Sequence, residues 1–168
     1  MNKALFFAIF VLASCAGPEE VHAPVGQGNG GSELAASVNR AKAQNAAERR
    51  QIEQWMAGQS EVFYPMPLNY WINLEGLESR RRRKEGERVS YLFRVYDFSG
   101  KPIGRPKEVK EAVLGHFEGI KAVEDALGYL HKGEEATLLV PSVLAYGTYG
   151  DGDEIMGNMP LIIKLKLL

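Results

Sequence analysis

The sequence is short of the side chains on which most enzyme chemistry depends. Its 168 residues include one cysteine and three histidines, and the formal net charge is −1. One cysteine excludes an intrachain disulfide, and the spacing of His22, His116 and His131 is not that of metal ligands. The patterns C-x-x-C, H-E-x-x-H and G-x-S-x-G are also absent. We therefore expect no metal and no cofactor, and the balanced charge gives no indication of nucleic-acid binding.

The N-terminal segment is typical of a secretory signal. A basic start, M-N-K, is followed by an apolar run that is too short to span a bilayer comfortably. Directly after it, L-A-S-C (residues 12–15) resembles the bacterial lipobox, in which the cysteine is lipidated and becomes the mature N-terminus. An ordinary cleaved signal with a chance cysteine is the alternative. We predict a signal peptide over residues 1–14, lipidation of Cys15, and an extracytoplasmic, membrane-anchored protein at the periplasmic face or the cell surface.

A tether and a helix follow. Residues 15–32 are rich in glycine and proline without periodicity, which predicts a flexible tether. Residues 33–60 are rich in good helix formers, and their apolar stripe breaks at Asn45 and Glu48. A denser apolar patch comes near the end of the helix and consists of Ile52, Trp55 and Met56. This patch either packs on the chain's own domain or binds a partner.

Residues 61–168 alternate between strand and helix patterns and are long enough for one modest core. Period-two alternation predicts strands at four places, which are 68–74, 86–100, 135–140 and 161–167. A short strand is predicted at 113–115. Apolar residues three or four positions apart predict a helix after Gly119, for which Gly133 is a natural stop.

Three segments of this region resemble FKBP-type prolyl isomerases. G-I-K-A-V-E-D-A-L-G-Y-L-H-K-G-E (119–134) resembles the family's V-I-x-G-W-E-E-x-L-x-x-M-x-x-G-E, and V-P-S-V-L-A-Y-G (140–147) resembles I-P-S-x-L-A-Y-G. The last segment, I-M-G-N-M-P-L-I-I-K-L-K-L-L (155–168), is similar to I-P-P-N-S-P-L-I-F-x-V-x-L-L. The resemblance covers roughly 68–168. It implies an α+β fold in which an antiparallel sheet wraps around one short helix, here preceded by the N-terminal helix and the flexible tether.

The resemblance also implies an apolar bowl that holds the substrate proline. Tyr146 matches a tyrosine whose hydroxyl donates to bound ligand, and Ile120 matches an isoleucine whose backbone amide does so. We predict these two as the catalytic residues. Five further matched positions are predicted to bind substrate, namely Phe93, Ile103, Val123, Ile155 and Ile163.

The bowl departs from the family pattern. Val123 stands where the family has the tryptophan of the floor, and Gly104 stands where it has an aspartate. Phe93 keeps a ring and loses a hydroxyl. Because a valine cannot replace the indole against a prolyl ring, we expect weak isomerase activity or chaperone-like binding of apolar segments. The alternative is that Tyr146 and Phe93 merely complete a core.

Two charged segments are open to more than one interpretation. The acidic loop 148–155 is predicted to be a flexible flap over the bowl, since it lacks the spacing of a calcium loop. The basic run 80–84 is predicted to be a solvated loop, with contact to anionic lipid headgroups as the alternative.

The sequence thus predicts a lipid-anchored peptidyl-prolyl cis-trans isomerase that assists the folding of cell-envelope proteins. Its partners would be proline-containing client polypeptides and, through the lipid, a membrane. Lipobox, N-terminal helix and the run A-Y-G-T-Y-G-D-G-D-E-I-M-G-N (145–158) together resemble the gliding-motility-associated FKBP lipoproteins of Bacteroidetes type. A non-catalytic chaperone or scaffold on the same fold is the alternative, as is an adaptor that docks partners through the helix.

Overall fold

The computed structural model describes residues 30–168. The predicted signal peptide, the predicted lipidation at Cys15 and nearly all of the predicted tether lie outside the described residues. The helices are α1 (Gly30–Ala57) and α2 (Lys121–Leu127), and the strands are β1 (Tyr64–Pro65), β2 (Trp71–Ile72), β3 (Arg88–Tyr96), β4 (Pro102–Val113), β5 (Glu135–Val140) and β6 (Leu161–Leu167). Short 3-10 turns lie at Leu77–Ser79 and Ser142–Leu144. In this described part, no helix is both long enough and apolar enough to cross a membrane.

The chain divides into two compact units between Ser37 and Val38. In the first unit the described residues are the opening turns of α1. The second unit, 38–168, contains the rest of α1 and all six strands, which form one antiparallel sheet in the order β1-β2-β5-β6-β3-β4. Every contact discussed below lies within this second unit. The predicted α+β fold, an antiparallel sheet with one short helix against it, is confirmed.

One end of the sheet in this unit is buried on both faces, whereas further along β6 the side chain of Lys164, on the α1 side, is exposed. On one face α2 packs against the main core, to which β5 and β6 contribute the fully buried Leu138 and Ile163. Their chain neighbours point the other way, since successive side chains of a strand alternate between faces. Those neighbours, Leu139 and Ile162, are buried in a second cluster together with Ile52 of α1. The centre of the sheet is therefore apolar at consecutive positions.

The apolar patch of α1 packs on the chain's own domain. Ile52 is fully buried against the second cluster, and the Trp55 ring makes edge contacts, at 5.8 Å between ring centroids, with both Phe63 and Phe98. Aromatic pairs prefer such edge-to-face arrangements. This contact answers the question that the sequence left open for this patch, because the domain itself covers it.

Several elements differ in length from the sequence-based predictions. The strand predicted over 68–74 is reduced to the two residues of β2, and that predicted over 86–100 to the nine of β3. β4 has twelve residues where a short strand at 113–115 was predicted, because Asp97 starts a hairpin by accepting hydrogen bonds from Ser99 N–H and Lys101 N–H, both at 2.9 Å. β4 is a polar edge strand, so no alternating pattern marks it. Conversely, α2 ends at Leu127, and Gly133 lies in the turn before β5 with φ of 82°.

The basic run 80–84 is a loop in which Arg81, Arg82 and Lys84 are exposed, and three of its arginines nevertheless bond to distant segments. The Arg80 guanidinium donates two hydrogen bonds to Glu134, at 2.7 and 2.8 Å. Arg82 Nη2 donates to Asp125 at 2.6 Å, and Arg83 Nη2 donates to the carbonyl oxygen of Leu130. The predicted solvated loop thus describes only part of the run, since the oxygens that accept from Arg80, Arg82 and Arg83 lie 43 to 54 residues further along the chain.

Replacing Arg80 with methionine should lower the free energy of unfolding by about 2 kcal/mol at pH 7, since it removes a bidentate, charge-assisted pair. The hydrogen bonds from Arg80 lower the pKa of Glu134 from its ordinary value of 4.5. A lowered pKa in the folded state means that this stabilisation is present above pH 4.5 and is lost as the pH falls through the folded-state pKa. Urea denaturation at several pH values should show the difference shrinking in acid. The exposed Arg81→Met is the control, and a difference that does not change with pH would contradict the linkage.

Candidate active site

The seven residues predicted for the site lie in one apolar cluster beside α2. Four of them are buried members of the main core, namely Ile120, Val123, Ile155 and Ile163. The other three are partly buried and pack against that core, namely Phe93, Ile103 and Tyr146. The structure brings all seven together, while their individual roles stay predictions.

The seven side chains of this cluster differ in how far they are exposed. Ile163 is fully buried and Val123 is 2% exposed, so neither presents surface to a substrate in this conformation. The accessible apolar surface is that of the partly buried Phe93, Ile103 and Tyr146. Val123 and Ile163 therefore support the bowl from beneath, and a substrate proline would first meet the outer three side chains.

Two further aromatic rings pack in this cluster, both of them buried, at positions for which the sequence had indicated no role in the site. The Tyr91 ring lies 5.8 Å from that of Phe93 on the same face of β3. On its other side it stacks on Phe117, at 5.7 Å between centroids and 28° between planes. Phe117 precedes α2 in a segment with no periodic pattern, which is why sequence reasoning missed it.

Gly119 allows Phe117 to reach this place. A Cβ atom at Gly119 would lie 2.6 Å from Cε1 of Phe117, so the ring rests directly against the glycine backbone. Ile120, whose amide is predicted to bind substrate, is the next residue. The aromatic rings packed near the start of α2 are therefore the buried rings of Phe117 and Tyr91, where the family resemblance placed an indole on α2 itself.

Two phenol hydroxyls remain protonated in this cluster. Burial raises the pKa of Tyr91 to about 12, with further contributions from Glu124 and Tyr146. Burial also raises the pKa of Tyr146, and the negative charge of Asp151 adds to it. A raised pKa keeps the neutral form near pH 7, so each hydroxyl can donate a hydrogen bond there. Tyr91 is only 4% exposed, so of the two hydroxyls that of the partly buried Tyr146 is the one open to a substrate in this conformation.

The turn that carries Tyr146 is closed by one carbonyl group. Ser142 begins the 3-10 turn, and its carbonyl oxygen accepts hydrogen bonds from the N–H groups of Ala145 and Gly147, at 2.9 and 2.7 Å. These two residues flank Tyr146 on either side. The position of the phenol therefore depends on the position of Ser142.

The acidic loop 148–155 is organised by its own backbone. Oδ1 of Asp151 accepts hydrogen bonds from the N–H groups of Asp153 and Ile155, at 2.9 and 2.8 Å. Oε2 of Glu154 in turn accepts a hydrogen bond from the N–H group of Gly104, at 2.6 Å. Asp151 and Glu154 therefore close the loop and connect it to β4 next to Ile103.

Comparison with known proteins identifies the family. A profile of the FKBP-type peptidyl-prolyl cis-trans isomerases matches residues 79–168. The chain belongs to this family. The match contains α2, the Tyr146 turn and the acidic loop, so the apolar cluster lies inside the isomerase domain. A search of curated protein sequences gave no match.

Two solved structures resemble this FKBP-type isomerase in fold. One is a peptidyl-prolyl cis-trans isomerase from Pseudomonas syringae, with a TM-score of 0.57 and 21% identity over 76% of this chain and 92% of that chain. The other is FkpA from Escherichia coli, with a TM-score of 0.57 and 19% identity over 82% of this chain and 64% of that chain. At these identities the likeness shows the fold alone.

Replacing Phe117 with leucine should lower kcat/KM for a proline peptide by roughly 3- to 10-fold, because a stacked aromatic pair contributes about 0.5–1.5 kcal/mol beyond its buried area. Phe98→Leu, on the opposite face of the sheet, is the matched control for a lost aromatic contact. It should destabilise the fold to a similar degree and leave the rate unchanged. Equal rates for the two variants would show that Phe117 has no part in the site.

Proposed function

We propose that this FKBP-type isomerase is lipid-anchored at Cys15 and assists the folding of proline-containing cell-envelope proteins. The anchor is supported by the position of Cys15 directly after a short apolar run that begins with a basic segment. The isomerase site is supported by one observation above the others. The protonated phenol of Tyr146 and the Ile120 amide belong to one apolar cluster that also contains a buried aromatic stack.

The reaction requires no nucleophile. Rotation about a prolyl bond has a barrier of about 18–20 kcal/mol, which arises from amide resonance. An apolar surface lowers this barrier. The twisted amide carries less resonance charge than the planar forms, so it loses less solvation when it leaves water. Phe93, Ile103 and the ring of Tyr146 offer such a surface at the mouth of the bowl.

Two donors would orient the substrate backbone at this surface. The Tyr146 hydroxyl is one, and the Ile120 N–H is the other, since the first N–H groups at a helix start have no intrahelical partner. Both donate to carbonyl oxygens that flank the prolyl ring. Holding these carbonyls fixed while the imide rotates is the positioning part of the mechanism.

Tyr146→Phe should lower kcat/KM by roughly fivefold, since a lost hydrogen bond is worth about 1 kcal/mol. Ile120 has φ of −66°, which proline adopts, so Ile120→Pro removes the N–H with little change in the backbone. Ile120→Ala is its control, because it loses the side chain and keeps the N–H. A protease-coupled proline-peptide assay measures all three. The donor role is wrong if Ile120→Pro is no slower than Ile120→Ala.

A non-catalytic chaperone is the second candidate function. Three apolar side chains near the site are well exposed, namely Val143 at 61%, Tyr149 at 95% and Met156 at 69%. Such a rim favours the binding of apolar segments irrespective of proline. Suppression of aggregation by the wild-type protein, together with a proline-peptide rate equal to that of buffer, would favour this function over the first.

The anchor is tested by expressing the full chain in a Gram-negative bacterium with radiolabelled palmitate. We expect label in the protein and sedimentation with membranes, and both should be lost in Cys15→Ser. Ser14→Ala is the control, because it retains a small residue before the cysteine and should keep the label. An ordinary cleaved signal would instead give an unlabelled, soluble protein in every variant.

The narrower proposal concerns the clients. Lipobox, N-terminal helix and the 145–158 run together resemble gliding-motility-associated FKBP lipoproteins of Bacteroidetes type, which supports clients in the cell envelope at the periplasmic face or the cell surface. The sequence of the tether and the start of α1 would then provide reach between lipid and domain.

A further inference from the structure

Glu48 is a buried carboxylate that the isomerase reaction does not obviously need. In the described part of the chain it is one of three buried polar residues, with 2% exposure, and Ser142 is another, with 4%. Oε2 of Glu48 accepts the N–H of Ser142 at 2.8 Å, and Oε1 accepts its hydroxyl at 2.7 Å. Gln44 Nε2 also donates to Oε1, at 3.1 Å. We propose that Glu48 is a positioning residue that acts on the reaction through Ser142 and Tyr146.

The backbone N–H of Ser142 needs a hydrogen-bond acceptor from another segment of the chain. β5 ends at Val140, so Ser142 N–H has left the hydrogen-bonding ladder of the sheet, and it is nevertheless buried. A buried N–H without an acceptor is strongly unfavourable. Glu48 satisfies it from α1, 94 positions earlier in the chain. The turn that carries Tyr146 is therefore fixed from outside the segment that the family profile matches.

The two hydrogen bonds to Glu48 bear on the phenol of Tyr146 through Ser142. Ser142 is held by Glu48 through its N–H and its hydroxyl, while its carbonyl oxygen accepts the N–H groups of Ala145 and Gly147. All three polar groups of Ser142 are thus used. Release of its N–H and hydroxyl would let the turn shift, and Tyr146, between Ala145 and Gly147, would shift with it.

The helix is itself well placed to hold Glu48 still. Ile52, one turn further along α1, is fully buried against Leu139 and Ile162 of the sheet. The guanidinium of Arg49 lies 5.4 Å from the centre of the Trp71 ring, a cation–π contact between α1 and β2. Two residues that follow Glu48 on α1 are therefore in contact with the domain. The proposal rests on the proposed role of Tyr146.

The test is a double-mutant cycle in the full isomerase domain with α1. Glu48→Ala should lower kcat/KM about 3- to 5-fold in the wild-type background, and less than about 1.5-fold in the Tyr146→Phe background, because the effect passes through the phenol. Glu48→Gln should recover most of the rate, since its amide can accept from Ser142 N–H and donate to the Ser142 oxygen. Equal losses in both backgrounds, or no recovery by glutamine, would overturn the proposal.

Trp55→Leu is the control that distinguishes a general loss of stability from a specific role of Glu48. It weakens the docking of α1 at the end remote from Ser142. It should leave kcat/KM unchanged under conditions where the protein stays folded, and an equal rate loss would count against a specific role for Glu48. Amide hydrogen exchange gives a readout independent of activity, with Ala145 and Gly147 exchanging faster in Glu48→Ala and not in Glu48→Gln. If Tyr146→Phe proves silent, the proposed function fails at Tyr146. Faster exchange would still support the hold on the turn, and unchanged exchange would overturn it.

Discussion

The structure depends on the end of its sheet that is buried on both faces. Leu138 and Ile163 pack towards α2, and their neighbours Leu139 and Ile162 pack towards α1. An antiparallel sheet often leaves one face to water. Here the second face is covered by α1, so this helix is part of the unit that supports the site. Because burial of apolar area is the main favourable term in folding, removing α1 would expose the back of the strands that carry the bowl.

The aromatic rings near the candidate site come from other chain positions than the one that the family resemblance indicates. Val123 is too small to form the floor, and it is buried. The rings come instead from β3 and from the segment before α2, where Gly119 allows Phe117 to lie against the backbone beside Ile120. An apolar bowl needs an aromatic ring next to the substrate proline, and residues at different chain positions can supply that ring. This is why weak similarity at individual positions is compatible with the family's reaction.

Buried carboxylates join distant segments around this site. Asp125 on α2 accepts the hydroxyl of Tyr70 at 2.9 Å and the guanidinium of Arg82 at 2.6 Å, and burial is the main reason that the pKa of Tyr70 is raised. Glu48 does the same for the turn that carries Tyr146. Each carboxylate has its donors in place, which is what makes its burial tolerable. Both sides of the bowl are thus fixed by polar contacts from outside it.

The sequence by itself determined the short helix α2 and the strands around it through local periodicity, and it indicated the α+β fold and the cluster with Tyr146 and Ile120 through the resemblance of three segments to a known family. It could not determine the aromatic stack, the length of β4 or the roles of Arg80 and Glu48. Glu48 interrupts the apolar stripe of α1 when the helix is considered alone. Its burial is explained only by Ser142, which lies opposite it in the folded domain. Such partners are brought together by long-range packing, so tertiary structure alone decided them.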